Sequence, residues 1–215
     1  MTISSAHFAS LLCSRLCHDL LSPVGALNNG VELLADEHDP AMRARCVELL
    51  ADSARVTAEK LKFFRLAFGS GGGFGEQVDT GEARAAVEGL FGVDGKIDVH
   101  WMVDEARMDK AALKVLLNLA LVAGDALPRG GILSVGAEKH RAGTDIVVRA
   151  EGQRLTLPEE IRDVLESHVD ETSLAPRAAP AWLVRSLVEE ARGRVQVADM
   201  GEGVLLLGAS LPAAA

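Results

Sequence analysis

The chain has 215 residues, 48% hydrophobic and 25% charged, so it is long enough and apolar enough to bury one or two globular cores. No apolar run approaches the ~18 residues of a membrane span, and a net charge of −9 with no basic stripe argues against both a membrane and a nucleic acid as partner. Residues 1–68 hold 7 Lys and Arg against 8 Asp and Glu, and the remainder holds 15 against 23, so most of the acidity lies in the second part. Met1 to Ser10 lack the basic-then-apolar order of a signal peptide, and the three cysteines form no C-x-x-C pair. The expected compartment is therefore the cytoplasm, with the thiols reduced.

Residues 4–36 read as one long helix. Cys13, Cys17, Leu20, Val24, Leu27, Val31 and Leu34 recur at spacings of 4, 3, 4, 3, 4 and 3, a heptad seam. Leu12, Leu16, Leu21 and Leu33 widen the stripe beyond what one partner helix covers. Asp36 to Pro40 form a polar turn whose proline can open the next helix, because its missing N–H is not needed there. A second helix runs from about 41 to 68, with Cys46, Leu50, Ala54, Thr57, Leu61, Phe64 and Phe68 on its inner face. One helical hairpin cannot bury so wide a stripe and two can, so a homodimer through a four-helix bundle is expected.

Residues 69–75, a glycine-rich run, read as a linker. As a phosphate-binding loop they fail, because they follow a helix and no Gly-Lys-Ser/Thr ends them. Next come a helix at about 80–91 with Thr80 as N-cap, a strand at 99–103 and a helix at 107–126. Strands at 132–137 and 145–150 pair around a turn. Helices at about 158–167 and 181–192 and strands at 194–199 and 203–211 close the chain. The expected fold class is α+β. A helical hairpin occupies 1–68, a linker 69–75, and a two-layer α/β sandwich with a mostly antiparallel sheet 76–215.

His18-Asp19-Leu20-Leu21-Ser22-Pro23 resembles the phosphoacceptor box of sensor histidine kinases: His, an acidic residue, three residues, then Pro. Residues 76–215 resemble their ATP-binding domain in order and pattern, with Asn118 in LLNLALVAGDALPRGGILSV placed like the asparagine box. Four positions depart from that pattern. The second asparagine of the box, a Mg²⁺ ligand in kinases, aligns with Val122, which offers no oxygen. The aspartate that accepts from the adenine amine aligns with Ala150, which has no acceptor. A glycine that lets nucleotide approach aligns with Arg154. The glycine-rich lid reads Ala178 to Trp182, and its Pro180 supplies no N–H.

An intact phosphoacceptor hairpin beside an eroded ATP-binding domain resembles histidine phosphotransferases of the ChpT type, and LCSRLCHDLLSPVGALNNGVELL is similar to that group in particular. The resemblance implies a dimeric phosphorelay intermediate that does not bind ATP. It takes phosphate from the receiver domain of a hybrid histidine kinase and passes it to response-regulator receivers of the CtrA and CpdR kind. It implies no cofactor in this chain, Mg²⁺ coming with the receiver. Two other readings compete: a working histidine kinase, which the four departures oppose, and a non-catalytic adaptor that docks on a kinase or receiver and blocks it.

The expected catalytic pair is His18, whose neutral ring nitrogen attacks phosphorus, and Asp19, which orients the ring or takes its proton. Ser14, Arg15, Leu21 and Ser22 lie within one turn of His18 and border the site. Arg15 would steady a phosphoryl oxygen, or is solvated helix surface. Pro23 removes the backbone bond to the carbonyl of Asp19. Gly25, Asn28 and Asn29 give a receiver helix room to pack, or are weak helix formers that the bundle tolerates. Cys13 and Cys17, one turn apart, invite a metal reading, but in an apolar seam core packing is preferred.

Overall fold

The computed structural model describes residues 3–69, 77–93, 95–166 and 174–213. Helix α1 (Ser5–Asp36) starts where Ser4 accepts from the amide of His7, and α2 (Pro40–Ala67) starts where Asp39 accepts from that of Met42. Both caps satisfy a helix-start amide that has no intrahelical partner. At the far end of α1, Arg43 Nη1 donates to the carbonyls of Leu34 and Glu37 at 3.0 and 2.7 Å. The α1–α2 turn is thus closed by side chains, and the two helices pack antiparallel. Gly30 belongs to that packing: a Cβ there would lie 2.8 Å from Leu50 Cδ2, so the close approach of the helices explains this glycine.

The second part contains β1 (Gln77–Asp79), α3 (Thr80–Phe91), β2 (Ile97–Val103), β3 (Arg107–Asp109), α4 (Lys110–Asp125), β4 (Gly131–His140) and β5 (Gly143–Glu151). It ends with α5 (Glu159–Leu165), a 3₁₀ turn (Pro176–Ala178), α6 (Ala179–Glu190), β6 (Arg194–Gly201) and β7 (Val204–Pro212). Five strands form one sheet in the order β2-β4-β5-β7-β6, parallel only between β2 and β4, and β1 pairs with β3 apart from it. Ile146, Val148 and Ala150 of β5 point into the core while Asp145 and Val147 face solvent, the alternation of a sheet covered on one face. Helix α4 carries that cover, with every residue from Val115 to Gly124 buried. Leu11 of α1 and Phe63, Phe64, Leu66 and Ala67 of α2 join the same core, so the hairpin's open end is packed onto the sandwich. The rings of Phe63 and Phe91 meet edge to face at 6.3 Å.

Several expectations change. The N-cap of α3 is Asp79, whose Oδ1 accepts from the amides of Gly81 and Glu82; the hydroxyl of Thr80 donates instead to the carbonyl of Glu105. The helix expected from residue 107 begins at Lys110, because Arg107–Asp109 pair with Gln77–Asp79. Residues 178–182, which align with the lid of the kinases, are the end of the 3₁₀ turn and the first turn of α6. All five are buried, because alanines and Trp182 fill the space beside the hairpin. Cys13 and Cys17 are exposed in this chain and only Cys46 is buried, so the two thiols are not core within one copy. The seam is likewise half open: Val31 of α1 is 59% exposed and Leu61 of α2 is 51% exposed. Of the expected linker at 69–75, all but Gly69 lies outside the described residues.

Candidate functional site

Residues 14, 18, 21, 22, 25 and 29 fall three or four apart on α1 and therefore share one face. All of them are exposed except Gly25, which is half-buried with no atom within 4 Å of where its Cβ would be. His18 stands well out from this stripe, its side chain 87% exposed. Leu21 is exposed beside it, and Asn28, at the stripe's edge, donates to Glu32 Oε1 at 2.7 Å.

Behind the exposed ring lies an ordered chain of charges. His18 Nδ1 is 3.2 Å from Asp19 Oδ1. The other oxygen of Asp19 accepts from Arg15 Nε at 2.6 Å, and Arg15 Nη2 donates to Asp125 Oδ2, also at 2.6 Å. Asp19 and Arg15 are largely enclosed, with side chains 15% and 12% exposed. A carboxylate only accepts, so its partner Nδ1 carries the ring proton in a neutral histidine. That leaves the lone pair on Nε2, at the solvent-facing tip. Arg15 is thus held between two carboxylates and bears on His18 through Asp19; the expectation that it reaches a phosphoryl oxygen gives way to positioning.

Arg15 is pulled down by burial, but Asp125 and Asp19 together raise it above its ordinary value. Asp125 is pushed up by desolvation, which outweighs the opposing pull of Arg15. Asp125 ends α4, so this ion pair ties the His18 segment of α1 to the sandwich.

Pro23 has a physical consequence that reaches the site. Lacking an N–H, it leaves the carbonyl of Asp19 without its usual helical partner. Lys60 Nζ, from α2, donates to that carbonyl at 2.8 Å. Lys60 and Asp125 were not singled out in the sequence. The proline announces that a donor is needed, but the donors and acceptors that answer lie 41 and 110 residues away from their partners.

The kinase-like positions are dispersed. Val122 and Arg154 line one cleft beside Arg15, whereas Ala150 sits fully buried in β5 and Pro180 is buried at the start of α6. Asn118 is fully buried and its Nδ2 donates to the carbonyls of Ala67 and Lys114 at 3.0 and 2.8 Å. It joins α4 to the end of α2, and its Oδ1 has no hydrogen-bond partner among the described residues.

Residues 80–203 match the family model of the histidine phosphotransferase C-terminal domain. The protein phosphotransferase ChpT of Brucella abortus (strain 2308) is 33% identical over 209 residues, 95% of this chain and 96% of that protein. A solved structure of a bacterial phosphotransferase matches with a TM-score of 0.85 at 30% identity, covering 97% of this chain and 98% of that one. The catalytic domain of the histidine kinase ThkA, in a nucleotide-free form, matches with a TM-score of 0.47 at 19% identity over 63% of this chain and 93% of that one. An exposed, oriented histidine on a helical hairpin packed onto an α+β sandwich fits a histidine phosphotransferase. The chain belongs to the ChpT-type family of these enzymes, and no described helix is long and apolar enough to cross a membrane.

Proposed function

We propose that His18 is the phosphoacceptor and that the chain relays a phosphoryl group from the receiver domain of a hybrid histidine kinase to the receivers of response regulators. The observation that carries this reading is the His18 ring, exposed at Nε2 and held at Nδ1 by Asp19. In the forward step the bond between phosphorus and the receiver's aspartate oxygen breaks, that aspartate leaves as a carboxylate, and an Nε2–P bond forms. The ring keeps its Nδ1 proton and gains positive charge beside Asp19, whose second oxygen is steadied by Arg15. In the second step a receiver aspartate attacks the same phosphorus and Nε2 leaves with its lone pair. Mg²⁺ belongs to the receiver, and this chain brings no cofactor. Its own contribution is position and charge.

The exposed stripe of Ser14, Leu21, Ser22, Gly25, Asn28 and Asn29 would receive the receiver, the open space over Gly25 supporting close packing there. Receivers of the CtrA and CpdR kind are the expected partners from family membership. The half-open apolar seam supports a homodimer, because two hairpins would bury what one leaves in water. The sandwich is proposed not to bind ATP: Val122 supplies no metal ligand, Ala150 no acceptor for adenine, and residues 178–182 are packed into a helix start. The division into a phosphotransfer hairpin at 1–68, a linker at 69–75 and a degenerate ATPase-like domain at 76–215 belongs to the same proposal.

The test mixes wild type or His18→Gln with a hybrid kinase of the same genome and labelled ATP, beside a lane lacking the kinase. Acid-labile label reaching only the wild type, and only with the kinase present, is expected. Label without the kinase would restore autokinase activity, and no label beside an active cognate kinase would favour the adaptor.

A further inference from the structure

Between α1 and the sandwich lies a cleft of about 560 Å³, within the size range of ligand sites. Four arginines line it: Arg15 from α1, Arg129 from the loop after α4, Arg154 from the segment after β5 and Arg177 from the 3₁₀ turn. Two of these charges are already met. Arg15 is paired with Asp19 and Asp125, and Arg177 donates to Glu160 through Nε and Nη2. Arg129 and Arg154 make no hydrogen bond or ion pair among the described residues, and both are exposed. A chain of net charge −9 thus concentrates unpaired cations in one cleft, where Asp125 is the only carboxylate among the lining residues.

Guanidinium groups present flat, paired N–H donors that match the oxygens of a phosphate, and they need no metal to do so. The floor beneath them includes Val122, Ala126 and Ile161, none of which can hold a divalent cation by its side chain. We propose that this cleft binds a small molecule carrying two linked phosphates, its charge met by arginines instead of Mg²⁺. Arg154, whose presence opposes nucleotide binding of the kinase kind, supplies one of the two free cations. The two free cations of the lining, Arg129 and Arg154, meet phosphate oxygens, so recognition rests on the phosphates. This holds whether or not His18 relays phosphate.

The test is calorimetric titration of the full chain with pyrophosphate, at fixed ionic strength, with EDTA and no Mg²⁺. Binding is expected that pyrophosphate shows at least tenfold more tightly than sulfate, that ATP does not exceed, and that added Mg²⁺ does not strengthen. Arg129→Ala with Arg154→Ala should weaken it at least tenfold. Arg192→Ala with Arg194→Ala, which changes two cations of a different depression, should leave it unchanged. Absence of binding, equal binding of sulfate, a requirement for Mg²⁺, or indifference to the Arg129 and Arg154 changes would each overturn the proposal. So would loss of receiver affinity in that double variant without pyrophosphate binding by the wild type, which would assign the arginines to a protein interface. Selectivity for pyrophosphate over sulfate is read on the native chain, so the proposal stands or falls even if the double variant folds poorly.

Discussion

The carbonyl of Asp19, deprived by Pro23 of a helical amide, depends on Lys60 at 2.8 Å. A hydrogen bond with a charged partner contributes about 1.5–3 kcal/mol net, and Lys60 is half-buried, so Lys60→Met should destabilise the chain by about 1–2 kcal/mol. Pro23→Ala returns an N–H four residues after Asp19 and removes a residue that disfavours helix interiors by about 3 kcal/mol. In that background the carbonyl has a backbone partner again, and the same Lys60→Met change should cost roughly 1 kcal/mol less. The four proteins form a double-mutant cycle, read by urea unfolding followed in far-ultraviolet circular dichroism. A coupling of about 1 kcal/mol is expected. Additivity within about 0.3–0.5 kcal/mol would show that Lys60 does not answer the proline.

Gly124→Ala should destabilise by about 1–3 kcal/mol despite a better helix former, because its Cβ would lie 2.2 Å from the Phe91 ring; a stabilised variant in the same urea assay would contradict this. Asp125 is raised above 3.8 by desolvation, so the folded chain holds its proton more tightly than the unfolded chain. That contribution to stability is complete below pH 3.8 and is lost as pH climbs through the raised native value. The stability of Asp125→Asn relative to wild type should therefore improve as pH rises from below 3.8 through the raised native value, and a fall on the same rise would reverse the sign. If the proposed homodimer forms through this seam, Val31→Lys with Leu61→Glu should halve the mass measured by light scattering while leaving helicity intact; an unchanged mass would exclude the seam as the contact.

Much of this fold was legible where local physics acts alone. The heptad spacing of α1, Pro40 opening α2 and the alternation of β5 each depend on neighbours in sequence, and each element stands within a few residues of its expected place. The errors come where tertiary partners decide. Asp79 rather than Thr80 caps α3 because the hydroxyl of Thr80 is taken by Glu105. The short strands β1 and β3 are too brief to carry a period and form only by pairing with each other. Residues 178–182 align with the kinase lid, and only tertiary packing shows that their alanines and Trp182 form a buried helix start. At the site, His18, Asp19, Arg15 and Pro23 were readable because they are neighbours on one helix. Lys60 and Asp125 were not, since nothing in a local pattern says which distant lysine or aspartate will reach a given carbonyl or guanidinium.

On the proposed relay, Nε2 of His18 carries the phosphoryl group while Asp19 keeps the proton on Nδ1. Phosphorus–nitrogen coupling in the nuclear magnetic resonance spectrum of ¹⁵N-histidine-labelled chain, phosphorylated through a hybrid kinase, tests it directly. One phosphohistidine is expected, absent in His18→Gln, with phosphorus on Nε2 and hydrogen on Nδ1. Phosphorus on Nδ1, or on any residue other than His18, would contradict it.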